Sequence, residues 1–288
     1  MNKKAKAVTA WLAAAVVMAV FTGCKNLDAK SDVAMNNKAA TLAERVLSPN
    51  AKPHDILVVL AHPDDETWLS GTLARLAQLH RVNVVYVSSG DAGSDRSGRE
   101  LSNQVLAQER EAEVTAALKA LSVKAAPIFW RFPDTQLVSK ASTITHKLVT
   151  TLNTQNPQLV ISFGGDGVTG HPDHTAVARV TVDAFSRWQQ SQKIAKDNLR
   201  AQLWQVAVSN ARAEQAGNVA AAMQHPFRIA KPIDNQRVDV QVDVSAYQQQ
   251  RRAAFAQHKT QFPQSMQMLW NAFLPVDNYE EFHVVVPD

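Results

Sequence analysis

Two short segments carry the residue types that could do chemistry. Ala61-His62-Pro63-Asp64-Asp65-Glu66 and Gly170-His171-Pro172-Asp173-His174 each set imidazoles beside carboxylates within a few positions. Taken singly, each has an ordinary structural explanation. Acids are favoured at a helix N-terminus, proline suits a first helical turn, and a histidine in a loop is usually a polar surface group. His-Pro-Asp occurring in both is harder to explain that way and points to one shared metal site. Two imidazoles and one carboxylate, with a position left for water, match a catalytic zinc site. A closed structural site would need four ligands, often thiolates, and the chain has one cysteine. Mixed nitrogen and oxygen donors would also accept Fe2+, Co2+ or Mn2+. Calcium and magnesium are disfavoured because they prefer oxygen to imidazole.

The elements around these segments must bring them together. Ile56 to Ala61 is an unbroken apolar run, as in a strand buried on both faces. Helical spacing follows over 66–80, a second buried strand over Val82 to Val87, and a long helix over 101–121. A third strand is predicted over Pro127 to Phe132, a helix over 139–154, and a fourth strand over Leu159 to Phe163. Helix returns from about His174 to Gln190, and Leu203 to Val208 reads as a fifth strand. Strands alternating with helices imply a mostly parallel, Rossmann-like α/β/α sandwich of three layers. Both chemical segments then sit at carboxyl ends of strands, where open parallel sheets bind ligands. The C-terminal part changes pattern. Val238 to Val242 alternates with period two, a helix is predicted over 245–260 and a late strand over Phe282 to Val286, as β/α additions. Residues 210–240 carry no functional signal.

The chain is 288 residues long and 45% apolar, enough for one large domain or two small ones. Its net charge is +4, but Lys3, Lys4 and Lys6 supply three of those charges. The near-neutral remainder gives no reason to expect a nucleic-acid partner. These lysines precede an apolar run from Trp11 to Phe21, then Thr22, Gly23 and Cys24. Residues 1–23 therefore read as a signal peptide, the run being short for a membrane span. Phe21-Thr22-Gly23-Cys24 resembles a bacterial lipobox, which implies lipidation of Cys24. Lys25 after the cysteine resembles the outer-membrane-sorted group. Phe21 departs from the usual aliphatic residue, so ordinary secretion is the alternative. The expected address is the periplasm or cell surface, with membrane contact only through the lipid anchor. Residues 24–53 read as a tether or lead-in, partly helical around Ala39 to Val46, and 54–288 as a single catalytic domain.

At the two segments the chain resembles the PIG-L/LmbE-like zinc deacetylases, whose motifs are a strand followed by Ala-His-Pro-Asp-Asp-Glu and a later His-Pro-Asp-His. Ser88-Ser89-Gly90-Asp91-Ala92-Gly93, the Arg110/Glu113 pair and the segment from Ala256 to Gln261 extend the likeness over roughly residues 54–262. The resemblance implies zinc on His62, Asp65 and His174, and Asp64 as the general base. It implies that His171 stabilises the tetrahedral intermediate or protonates the leaving amine, and that Asp173 orients a histidine. Arg110 would contact the sugar and Asp134 a sugar hydroxyl. Arg110 with Glu113 could instead be a surface i,i+3 pair, and His258 is expected to pack or lie at the surface. Trp68, Asp95, Arg96 and Arg99 follow strand ends and are either cleft lining or loop surface. The implied activity is removal of an N-acetyl group from an N-acetylglucosamine-type sugar or glycan. The alternatives are an amidase for another acylated amino-sugar conjugate, or a non-catalytic sugar- or metal-binding lipoprotein. A dinucleotide enzyme is disfavoured because no Gly-x-Gly-x-x-Gly follows the first strand.

Overall fold

The computed structural model describes residues 37–192 and 200–285. The predicted leader, Cys24 and Val286 lie outside the described residues. In chain order the elements are α1 (Asn37–Leu47), β1 (Asp55–Leu60), α2 (Ser70–Leu76), β2 (Arg81–Tyr86), α3 (Asn103–Ala120) and β3 (Ile128–Phe129). Then come α4 (Ala141–Gln155), β4 (Leu159–Phe163), α5 (Pro172–Ser191), β5 (Gln202–Ala207) and α6 (Asn210–Ala222). The C-terminal part holds β6 (Val240–Asp243), α7 (Gln248–Phe255), α8 (Gln264–Phe273) and β7 (Tyr279–Val285). Among the described residues no helix is long and apolar enough to cross a membrane.

The strands form one sheet in the order β3-β2-β1-β4-β5-β7-β6. The first five are parallel, and β7 runs antiparallel to both β5 and β6. Helices cover both faces, giving the three-layer α/β/α sandwich expected. The core explains the apolar runs: Ile56 to Leu60 and Leu159 to Phe163 are solvent-excluded throughout, as strands covered on both faces must be. The strand order reverses between β1 and β4, so the loops leaving these two strands flank the crevice of a doubly wound sheet.

Several elements depart from the sequence expectation for physical reasons. The helix expected over 66–80 is a 3₁₀ turn at Asp65–Leu69 followed by the short α2. The Glu280 carboxylate accepts from the N–H groups of Gly71 (2.9 Å) and Thr72 (2.7 Å), satisfying donors that open a helix start leaves bare. The strand expected over 127–132 shortens to Ile128–Phe129, where Pro127 offers no N–H and Arg131 takes φ 57°. Trp130 and Phe132 still donate to Tyr86 and Val87 carbonyls. The helix expected over 245–260 ends at Phe255, and α6 and α8 add two helices the sequence reading lacked. In the lead-in, α1 buries Leu42, Ala43 and Val46 against the core, and Arg75 and His80 hydrogen-bond its last carbonyls, at Leu47 and Val46.

Candidate metal centre and active site

The turn after β1 is built to aim its acids. Asp64 sits at φ 113°, in the left-handed region that asparagine and aspartate tolerate better than most residues. Local bonds hold it there. Its N–H donates to Glu66 Oε2 (3.1 Å), and its carbonyl accepts from the Thr67 N–H (3.1 Å) and hydroxyl (2.7 Å). One residue on, Asp65 Oδ2 accepts from the His62 N–H at 2.7 Å. The second loop enters α5 with Pro172 in its first turn, and His171 caps the helix by accepting from the Asp173 N–H at 3.2 Å.

These loops bring His62, Asp65 and His174 together. His62 Nδ1 lies 3.3 Å from His174 Nε2 and 3.8 Å from Asp65 Oδ2, while His174 Nε2 lies 3.1 Å from Asp65 Oδ1. Donors sharing a tetrahedral ion, with bonds of about 2.0–2.2 Å, have spacings of this order, and Asp65 meets the two rings through different oxygens. The opposite ring nitrogens are engaged elsewhere. His62 Nε2 contacts Asp134 Oδ1 (2.8 Å) and Asp173 Oδ2 (3.4 Å). His174 Nδ1 contacts the Gly167 carbonyl (3.1 Å) and the Thr169 hydroxyl (3.1 Å). A proton on each outer nitrogen leaves a lone pair on each inner one, the arrangement that metal-ligating histidines adopt. His174 is further fixed by stacking on Phe163, ring centroids 4.3 Å apart. Gly167, at φ 68°, has no room for a Cβ, which would stand 2.8 Å from His174 Cβ. Two other groupings share His62, each with one ligand atom per residue within 4.8 Å of the others: one with His171 and His174, the other with Asp134 and Asp173. The ring directions favour the set with Asp65, because Nε2 of His62 is already taken by the latter pair.

The charge balance also fits a cation. Asp65, Asp134 and Asp173 are buried, and buried carboxylates need a partner charge or a metal. Burial alone would lower the pKa of His62, but its hydrogen bonds to Asp134 and Asp173 and the charge of Asp65 raise it to about 10. Burial likewise pushes Asp64 up to about 6, against the pull of Arg110 and with the push of Asp65. His171 goes the other way: burial and the neighbouring His174 and His62 lower its pKa. With Nδ1 accepting from the Asp173 N–H, Nε2 is the nitrogen left to carry the proton.

The outer residues sort differently from expectation. Arg110 and Glu113 are both buried and do not pair with each other, so the surface-pair alternative is excluded. Arg110 donates to the Gly90 carbonyl (3.2 Å) and the Pro63 carbonyl (2.7 Å), and its Nη2 lies 3.4 Å from Asp64 Oδ1. Gly90, at φ 71°, makes room for it, since a Cβ there would lie 2.0 Å from Arg110 Nη1. Glu113 accepts from the Thr260 N–H and hydroxyl. Asp134, expected on a sugar hydroxyl, lines the cavity but has an oxygen engaged by His62. The Asp173 carboxylate accepts from the N–H groups of Thr135 (2.7 Å) and Leu137 (3.1 Å) and so reaches His62 from a fixed position. Trp68 and Arg96 line the cavity. Asp95 instead caps its own loop and Arg99 pairs with Glu109.

Of the two expectations for His258, packing holds, and its partner is a carboxylate of the first motif. His258 is fully buried, and its Nε2 makes a close contact with Glu66 Oε1. The other oxygen of Glu66 accepts from Tyr86 Oη (3.0 Å) and from the Asp64 N–H, so this trio stands directly behind Asp64. The sequence signal for it was Glu66, the third consecutive acid of the first motif.

A family model described as "PIG-L: GlcNAc-PI de-N-acetylase" matches residues 57–185. A 1D-myo-inositol 2-acetamido-2-deoxy-alpha-D-glucopyranoside deacetylase of Mycobacterium sp. (strain KMS) is 30% identical over 273 residues, covering 80% of this chain and 83% of the relative. Its namesake from Actinosynnema mirum is 29% identical over 238 residues, 73% of this chain and 81% of the relative. Among solved structures, the N,N'-diacetylchitobiose deacetylase of Pyrococcus horikoshii superposes with a TM-score of 0.63 at 19% identity. That match covers 88% of this chain and 91% of the other.

Proposed function

The chain belongs to the PIG-L (LmbE-like) deacetylase family, and from that membership we propose that it is a metal-dependent hydrolase removing an N-acetyl group from an N-acetylglucosamine-type sugar. The observation that carries the reading is the orientation of His62 and His174. Each turns one nitrogen toward Asp65 and the other toward an anchoring acceptor, beside a further buried carboxylate, Asp64. A simple binding site has no use for that last group, which weighs against a non-catalytic role. His62, Asp65 and His174 would hold zinc, with Fe2+, Co2+ and Mn2+ as substitutes.

An amide resists hydrolysis because water is a weak nucleophile and an amine a poor leaving group. Zinc, when bound, supplies a Lewis acid for the amide carbonyl and lowers the pKa of water to roughly 7. Asp64, a carboxylate above about pH 6, accepts the proton of the attacking water, with Arg110 holding its side chain in place. His171 donates from Nε2 to the oxygen that gains charge as the carbonyl becomes tetrahedral. The proton taken up by Asp64 is then available to the leaving nitrogen. Asp173 and Asp134 keep the His62 ring turned and in one tautomer.

The test is elemental analysis of the mature chain together with acetate release from N-acetylglucosamine and its short oligomers, using Asp64→Ala as control. We expect about one zinc per chain in both proteins and acetate from the wild type alone. His171→Ala should lower turnover while retaining the ion. Loss of the ion in that variant would make His171 a ligand and overturn its assignment, and a metal-free chain after reconstitution would end the reading. We also propose, on the sequence of residues 1–24, that the protein is exported and anchored through a lipid on Cys24 to the outer membrane. Labelling with a radioactive fatty acid that persists in Cys24→Ser would refute this.

A further inference from the structure

The cavity at the metal centre is larger than an acetamide requires, and its walls differ in character. It encloses about 540 Å³, within the range of sites that hold drug-sized ligands. Most of its hydrogen-bonding groups come from the loops after β1 to β4, where Asp64, Arg96, Asp134, Thr135 and His171 face it, and Gln261 stands beside the aromatic side. Its apolar lining comes mostly from other elements. Trp68 follows β1, Phe227 and Ile229 follow α6, and Phe262, Met266 and Trp270 lie beyond the end of α7. The aromatic part is rigidly backed, since Phe255 stacks on Phe262 at 4.0 Å and on Trp270 at 4.7 Å. Arg212, also at the cavity, has Nε and Nη2 bonded to Asp277.

A sugar ring is not the match for such a wall. Its hydroxyls need hydrogen-bond partners when desolvated, and those stand on the loops. We infer that the apolar wall takes an N-acyl chain longer than acetyl, so that the site cleaves medium-length acyl amides of amino sugars as well as the acetamide. The amide itself supplies the direction. A planar trans amide places the acyl chain and the sugar carbon on opposite sides of the C–N bond, so a sugar held by the loops sends its acyl chain away from them. The reaction is unchanged in kind: the C–N bond breaks, water adds hydroxide to the acyl carbon and a proton to nitrogen, and a carboxylic acid and an amine leave. The inference rests on the amide-hydrolase reading above and deepens it.

The experiment compares kcat/KM for N-acetyl-, N-butanoyl-, N-hexanoyl- and N-octanoylglucosamine, with octyl N-acetylglucosaminide and di-N-acetylchitobiose as controls. Burial of each added methylene predicts a rise of roughly threefold to fourfold along the acyl series until the wall is covered. Met266→Glu should lower the hexanoyl-to-acetyl ratio about tenfold, and a ratio cancels any loss of folded protein. A flat or falling series with acetyl still cleaved would overturn the inference. So would a rise confined to the octyl glycoside or to chitobiose, which would give the wall to an aglycone or a second sugar. Were no amide cleaved, the hydrolase reading would fall, and quenching of the fluorescence of Trp68 and Trp270 would decide the wall separately. Quenching by N-octanoyl- but not N-acetylglucosamine supports it, and equal response or none overturns it.

Discussion

Two clusters of buried charge lie in this fold, and they are opposites. At the β1/β4 crevice, Asp65, Asp134 and Asp173 surround two imidazoles, and the cluster opens onto the cavity with Asp64 at its edge. In the C-terminal block, Arg212 and Arg251 share Asp277, whose oxygens accept from both at 2.5–2.9 Å, and Arg251 also lies 3.4 Å from Glu280. In that second cluster Asp277 and Glu280 each have a guanidinium partner, Arg212 and Arg251 on the first and Arg251 on the second. Burial of charge alone therefore does not mark a reactive site. What distinguishes the crevice is an excess of carboxylates and lone pairs that converge on one point, which a cation satisfies and further protein groups do not.

The sharpest way to break this contrast is to remove one acid from each cluster. Asp64→Asn, which keeps a side chain suited to φ 113°, should lower turnover by roughly 10²–10⁴ with unfolding free energy almost unchanged. Asp277→Ala should leave two buried guanidinium groups short of a partner and destabilise the fold by about 3–5 kcal/mol, read by urea denaturation, while zinc per folded chain stays the same. A metal-free but folded Asp277→Ala protein would mean that the clusters are one system. A smaller effect is expected from Asp173→Asn. One carbonyl oxygen can keep a backbone N–H but not all the contacts of the carboxylate, and metal affinity should fall about 10–100-fold, measured by competition with a chelator.

Acidity separates the clusters again. Asp64 carries a raised pKa of about 6, from burial first. A base works only when deprotonated, so kcat/KM should be level above that value and fall up to tenfold per unit as pH drops below it. A cation held by Asp65 next door moves the midpoint lower, never higher. Asp277 is shifted the other way: burial would raise its pKa, but Arg212 and Arg251 hold it below the ordinary carboxylate range. Its contribution to stability is thus present above the unfolded value and lost only as pH falls through the lower folded one. Activity should fail at a pH where the fold is intact, and simultaneous loss of both would contradict the separation.

The crevice was legible in the sequence because its parts are local. His62, Asp64 and Asp65 share one turn and His171, Asp173 and His174 another, each at the end of an apolar run whose burial dictates a parallel strand. The remainder depends on contacts between distant positions. His258 meets Glu66 across 192 residues, and nothing near His258 announces a buried partner. Asp134 reaches His62 only because β3 stops after two residues and the chain swings inward. The apolar wall escaped for a further reason: α6 is an alanine-rich segment with a glycine inside it, a weak helix by pattern, and α8 takes its place from packing against α6 and α7.

Tyr86→Phe probes the seam between chemistry and support. The hydroxyl of Tyr86 donates to the oxygen of Glu66 that also receives the Asp64 N–H, so it lies two hydrogen bonds from Asp64, the proposed base. The ring is buried and stacks on Phe129 at 5.7 Å, and phenylalanine preserves that packing. If Glu66, His258 and Tyr86 only brace the turn, the change removes one hydrogen bond and should cost about 0.5–1.5 kcal/mol of stability. Turnover should then change less than about threefold, because the second bond to Glu66 still fixes the Asp64 backbone. A fall in kcat of tenfold or more, with KM and zinc content unchanged, would show that the bracing sets the aim of Asp64. The crevice cluster would then extend inward to His258, and the line between the two kinds of buried charge would run through α7.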